Sequence, residues 1–179
     1  MNHLEGKKIA ILATNGFEES ELFEPKKALE ESGARVFIIA PEKGKIKAWN
    51  HGNWSKEIEV DLTVGEARES DYDALVLPGG VINPDKLRRS TEAVDLIRRF
   101  FDSHKWVASI CHGPQLLIEA EVVKGRKMTS FFSIKKDLQN AGADWTDAEV
   151  VVDDRLITSR NPGDLQAFNR KIIEEVSKT

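Results

Sequence analysis

The sequence predicts a doubly wound α/β sandwich, and three observations predict it. Continuous apolar runs at 8–13 (KIAILA), 35–40 (RVFIIA) and 73–78 (DALVLP) have the composition of short strands buried on both faces. Segments with apolar residues at helical spacing separate these runs. A fourth apolar run, Trp106 to Ile110, leads through Cys111-His112-Gly113-Pro114 directly into the helix-forming stretch Gln115 to Ala120. Strands that alternate with helices pair in parallel and bury both faces under helices.

Each element has its own reason. After the first strand, Thr14 to Phe17 forms a loop, and Glu18-Glu19-Ser20-Glu21 opens a helix with acid in its first turn, as the helix dipole favours. Leu22, Ala28 and Leu29 give that helix apolar positions, Pro25 is expected at N1 of its main part, and Gly33 stops it. Glu42 to Asn53 is polar, carries Trp49 and His51, and reads as a long loop or hairpin arm. Glu57 to Leu62 alternates as a strand does, and Val64 to Ser70 is expected as a short helix. Gly79-Gly80 follows the third strand; Pro84 to Arg89 forms one helical turn, and Thr91 to Ser103 is an amphipathic helix. Lys127 to Phe131 reads as a strand and Ile134 to Asn140 as a helix. Val150 to Val152 and Leu156 to Ser159 make a hairpin-like pair, and Asp164 to Val176 is a closing helix.

The 179 residues are expected to form one domain, 1–179. A hydrophobic content of 40% and a charged content of 31% describe an ordinary globular chain. A net charge of −4 without a basic stripe argues against a nucleic-acid partner. No apolar run approaches a membrane span, and the N-terminal residues lack a signal peptide's apolar region. The single cysteine cannot form an internal disulfide, so a cytoplasmic location is expected.

Ligands in doubly wound sheets bind beyond the carboxyl ends of the strands. Three loops should converge there, carrying Glu18, Gly79-Gly80 and Cys111. Cys111 would sit on a tight strand-to-helix turn with its side chain projecting, and the helix N-terminus beside it is expected to favour thiolate. The alternative for a lone cysteine is a small buried hydrophobe. The His112 imidazole would serve as base, and its N–H, with Gly79 or Gly80, would face an oxyanion. Glu18 would hydrogen-bond the sulfur or tune its pKa; its bland alternative is dipole complementation. Of the four histidines, His3, His51, His104 and His112, none follows residue 112, so a late histidine of the glutaminase type is missing. His104 is expected at the opposite edge of the sheet and His51 in the polar arm. No zinc spacing or phosphate loop occurs, and no cofactor is expected.

These residues resemble the ThiJ/PfpI superfamily, in its PfpI branch of intracellular cysteine peptidases and general stress proteins. The resemblance rests on 17–22 (FEESEL), 73–80 (DALVLPGG), 107–118 (VASICHGPQLLI), 124–130 (KGRKMTS), 141–153 and 159–165 (SRNPGDL). It implies a flavodoxin-like sandwich with Cys111 as nucleophile, His112 beside it and Glu18 contacting the sulfur. It also implies a homo-oligomer, a dimer or a trimer or hexamer, in which Asp85 of an adjacent subunit orients His112. Phe131 stands where such proteins often carry a hydroxyl. The expected function is a stress-response enzyme that uses Cys111 on reactive aldehydes or glycated adducts, converting methylglyoxal to lactate. The alternatives are an intracellular cysteine peptidase acting on peptides, and a redox-sensing chaperone with an oxidisable Cys111.

Overall fold

A computed structural model describes residues 3–179. In chain order the elements are β1 (Lys8–Leu12), β2 (Phe17–Glu18), α1 (Glu19–Glu31), β3 (Arg35–Ala40), β4 (Lys45–Asn50), β5 (Asn53–Glu59), β6 (Leu62–Thr63) and β7 (Ala74–Leu77). There follow α2 (Ile82–Leu87), α3 (Thr91–Asp102), β8 (Trp106–Ile110), α4 (Gln115–Glu119), β9 (Lys127–Met128), α5 (Lys135–Asn140), β10 (Asp144–Trp145), β11 (Val151–Asp153), β12 (Leu156–Ser159) and α6 (Leu165–Ser177).

The central sheet has seven strands in the order β11-β12-β8-β7-β1-β3-β6. Every pairing is parallel except β11 with β12, so the α/β sandwich expected from the apolar runs is what the chain forms. From β1 the chain steps outward to β3 and β6, then returns to β7 on the other side of β1. The order therefore reverses between β1 and β7, where doubly wound sheets place their ligands.

Strand side chains alternate between faces, so each run feeds two cores. Ala10, Leu12, Leu75 and Leu77 pack with Leu96, Phe100, Leu116 and Leu138 beneath α3, α4 and α5. Ile9, Ile11, Val76 and Ile110 pack with Leu22, Leu29, Phe168 and Ile172 beneath α1 and α6. Helix α3 begins cleanly because Ser90, at its N-cap, accepts a hydrogen bond from the Ala93 N–H at 3.2 Å.

One local expectation is resolved between its alternatives, and three are corrected. The polar arm at 42–53 is ordered: β4 and β5 form an antiparallel hairpin whose inner strand pairs with β2, giving a separate three-stranded sheet. Trp49 and Trp54 meet edge-on across that hairpin at 5.2 Å. Residues 64–70 form turns and a short 3-10 segment, Glu69–Asp71, instead of a helix. Glu66 bonds back to the Thr63 N–H at 2.9 Å and the Val64 N–H bonds to Ala40 O, so the backbone there is spent on the sheet margin. The strand expected at 127–131 is two residues long and pairs with β10, outside the main sheet. Pro25 lies inside α1, where its buried ring forgoes one hydrogen bond of the helix ladder.

Candidate active site

Strand β8 ends at Ile110, and the chain turns sharply at Cys111, whose φ of 63° lies in the left-handed region. For a non-glycine residue that conformation costs roughly 1 kcal/mol or more and persists only where the surroundings impose it. Here the Cys111 N–H donates to Ser159 O at 3.1 Å, and its carbonyl accepts from the Phe131 N–H at 2.9 Å. Gly113 lets the turn close: a Cβ there would lie 2.5 Å from Ser109 Oγ and 2.6 Å from Leu77 O. The turn leaves Cys111 only 6% exposed.

A glutamate reaches the thiol, and it is Glu21. Its side chain is fully buried, Oε1 accepts from the Gly79 N–H at 2.9 Å, and its carboxyl meets the Cys111 thiol. Oε2 has no hydrogen-bond partner among the described residues. Burial, then the nearby charge of Glu18, pushes the Glu21 pKa up to about 8, against the pull of the Gly79 N–H and the thiol. Glu21 therefore holds its proton at neutral pH, beside the sulfur. Glu18 was expected on the sulfur and is not there. It ends β2, donates its N–H to Gly79 O at 3.2 Å, and has its pKa raised chiefly by burial. The reason is helical phase: Glu21, Leu22, Pro25 and Leu29 are the buried positions of α1, so the inward face begins at Glu21.

The thiol pKa is raised, first by burial and then by the charge of Glu21. The N–H groups of Gly80 and His112 face the sulfur and pull the other way. The expectation that the helix N-terminus favours thiolate at Cys111 is thus corrected: α4 is five residues long, and its dipole loses to burial. Keeping the proton on Glu21 removes the charge that opposes a thiolate. Gly79 is also corrected as an oxyanion donor, because its N–H is committed to Glu21. Gly80 and His112 are the two amides left for that role. Gly80, at φ 84°, allows the close approach: a Cβ there would meet the Glu18 nitrogen and Gly16 oxygen at 2.8 Å. Buried Asn83 fixes the loop by accepting from the Thr14 N–H and donating to the Pro78 and Gly79 carbonyls.

The His112 ring has one nitrogen on each side of the problem. Nδ1 lies 3.2 Å from Cys111 Sγ, and Nε2 lies 3.1 Å from Ser133 Oγ. The ring stacks on Phe131 at 4.8 Å. Burial lowers its pKa, which leaves the imidazole neutral at pH 7. Asp85 is exposed on α2, and within one chain Ser133, not a carboxylate, occupies Nε2. His51 stands exposed at the β4–β5 turn and acts electrostatically on Glu18; His104 is exposed between α3 and β8, at the amino edge of the sheet. Sequence reasoning missed Glu21 and Ser133. The apolar phase of α1 carried a signal for the first; nothing in the sequence pattern marks the second.

Comparison with known proteins identifies the family. The profile of the DJ-1/PfpI family matches residues 7–175. The chain belongs to the DJ-1/PfpI family. Among members of this family, it is 46% identical to General stress protein 18 of Bacillus subtilis, over 97% of this chain and 99% of that one. It is also 46% identical to Deglycase PfpI of Pyrococcus furiosus, over 93% of this chain and 98% of that one. Among solved structures, DJ-1beta of Drosophila melanogaster superposes with a TM-score of 0.87 at 30% identity, covering 97% of this chain and 91% of that one. Among the described residues, no helix is long and apolar enough to cross a membrane, and no three His, Cys, Asp or Glu side chains group to hold a metal.

Proposed function

We propose that this DJ-1/PfpI protein is a cysteine-dependent enzyme of reactive carbonyls, acting on small dicarbonyls such as methylglyoxal and on the adducts they form with amines. One observation carries the reading. The only cysteine is held in a strained turn, with a protonated Glu21 and the Gly80 and His112 amides around its sulfur. The names of the stress protein and the deglycase among its relatives support the same reading. So does the 6% exposure of Cys111, which admits a short dicarbonyl more readily than an extended peptide.

The chemistry balances without a redox co-reactant. Cys111 Sγ adds to the aldehyde carbon, its proton passes to His112 Nδ1, and the new oxyanion is met by the Gly80 and His112 N–H groups. His112 protonates that oxygen, giving a hemithioacetal. A proton then leaves the sulfur-bearing carbon and one returns to the neighbouring carbonyl carbon, with His112 and Glu21 as the groups in reach. The product is a thioester of a 2-hydroxy acid, and water cleaves it to restore the thiol. Methylglyoxal plus water becomes lactate. On a carbinolamine the sulfur takes the place of the amine on the same carbon: the C–S bond forms, the C–N bond breaks, the thiol proton leaves on the amine by way of His112, and the same hemithioacetal results.

The test is lactate formed from methylglyoxal by the wild type beside Cys111→Ala. Lactate from the wild type alone is expected. Equal lactate from both proteins, or none from either, overturns the reading. Peptide turnover and oxidation of Cys111 by mild peroxide then become the measurements to make. Association with a second copy belongs to the same proposal. Val81 and Phe132, 66% and 73% exposed, adjoin Gly80 and Phe131 and stand open in the single chain. Sedimentation velocity is expected to give a mass above 20.1 kDa; a monomer at all concentrations would exclude the association.

A further inference from the structure

We infer that Ser133 is a positioning residue that completes the Cys111–His112 pair from within the same chain, in the place the family resemblance gives to Asp85 of a second copy. Its hydroxyl sits 3.1 Å from Nε2, while Nδ1 at the other side of the ring sits 3.2 Å from the sulfur. The imidazole is thus held at both nitrogens, and Phe131 supports its face. This placement is imposed by the backbone. The Phe131 N–H bonds to the carbonyl of Cys111 itself, the Ile134 N–H bonds back to Phe131 O, and buried Ile134 anchors the 3-10 turn that carries Ser133.

A hydroxyl in that place does chemistry that a carboxylate does not. A carboxylate only accepts, so it fixes the proton on Nε2 and stabilises imidazolium. A serine hydroxyl accepts and donates. When Nδ1 is the base, Nε2–H donates to Ser133. When Nδ1 carries the proton on a neutral ring, the Ser133 hydroxyl donates to Nε2. Both neutral tautomers keep the same ring orientation. The titratable groups facing the ring are Cys111 and, behind it, Glu21; from the 131–134 segment it meets the neutral Phe131 and Ser133. No charge on the described residues offsets the burial that lowers its pKa. When Nδ1 takes the thiol proton the ring is an imidazolium whose Nε2–H still donates to Ser133, so the orientation holds while the proton is taken and returned. The effect on turnover rests on the carbonyl reading above; the effect on the thiol does not.

The experiment follows from the cysteine count. Cys111 is the only cysteine, so iodoacetamide alkylation reads that thiol alone. Its rate is measured from about pH 5 to about pH 9 for the wild type, Ser133→Ala, Ser133→Thr and Asp85→Asn, with lactate formation alongside. Ser133 is exposed, so its removal leaves the core intact, and thermal melting verifies the fold. Ser133→Ala is expected to slow alkylation near neutral pH by roughly tenfold and to lower kcat by roughly tenfold with a smaller rise in KM, because the base is no longer aligned. Its pH profile should move to higher pH. Ser133→Thr keeps the hydroxyl and should restore both rates to within about threefold. Alkylation and turnover of Ser133→Ala equal to wild type at every pH would overturn the inference. So would a loss in Asp85→Asn with none in Ser133→Ala, which returns the role to a second copy. If no protein makes lactate yet the alkylation profile still follows Ser133, the carbonyl reading fails and the positioning role stands.

Discussion

Glu21 sets the pH behaviour of the site. A carboxyl whose folded pKa is about 8 binds a proton that the unfolded chain, near 4.5, has already lost. Between those values the folded state holds more protons, so stability falls as pH rises through the window. At about 1.4 kcal/mol per pKa unit, the full loss above pH 8 is of order 4 to 5 kcal/mol. Glu21→Gln keeps a donor toward the sulfur and an acceptor for Gly79 without a charge to desolvate. Its melting temperature should therefore stay flat from about pH 5 to about pH 8, where that of the wild type declines; parallel declines would show that Glu21 does not titrate there. Gly113→Ala should be hard to fold, because its Cβ would meet Ser109 Oγ and Leu77 O at 2.6 Å or less. Overpacking of this kind costs about 1 to 3 kcal/mol, and a melt within error of wild type would count against the contact. At this scale Cys111 and His112 were legible, since strand, Cys-His-Gly and helix are contiguous. The acid was legible only as a choice between neighbours. Glu18 and Glu21 are one helical turn apart, and which one points inward depends on where β2 ends and α1 begins.

The elements follow their local causes unevenly. The buried strands and α3 were readable because periodicity and burial coincide there. Ser90 shows the rest of that logic: its hydroxyl satisfies the Ala93 N–H at the head of α3. Ser90→Ala should cost about 1 kcal/mol and lower the melting temperature by roughly 2 to 4 °C, read by calorimetry; no change would mean that solvent replaces the cap. The arm at 45–59 was readable only as a loop or a hairpin arm, because Lys45 to Glu59 alternates polar residues with few apolar ones. Its inner strand, with Ile46 and Ala48 buried, gains its order by pairing with β2, which a local pattern cannot report. The 64–70 segment fails as a helix for the same reason in reverse, since its hydrogen bonds go to the sheet margin and to Glu66.

Across the whole molecule, the reversal between β1 and β7 gathers α1, the Gly79-Gly80 loop and the Cys111 turn at one end of the sheet. Three sequence-distant motifs become one site through topology alone, and that convergence was readable because parallel strands deliver the loops after their carboxyl ends to one edge of the sheet. Ser133 was not, because its position depends on how 129–134 folds back over the nucleophile. The main sheet ends in β6 and β11, two and three residues long, which leaves almost no open backbone for a foreign strand to pair with. The hairpin ends differently. Its outer strand β5 runs seven residues with one flank unpaired, and Lys56, Glu57 and Glu59 lie along it. Those charges guard the molecule against edge-to-edge aggregation. Neutralising all three should hasten light scattering on heating, and the same changes should leave the seven-stranded core unaltered.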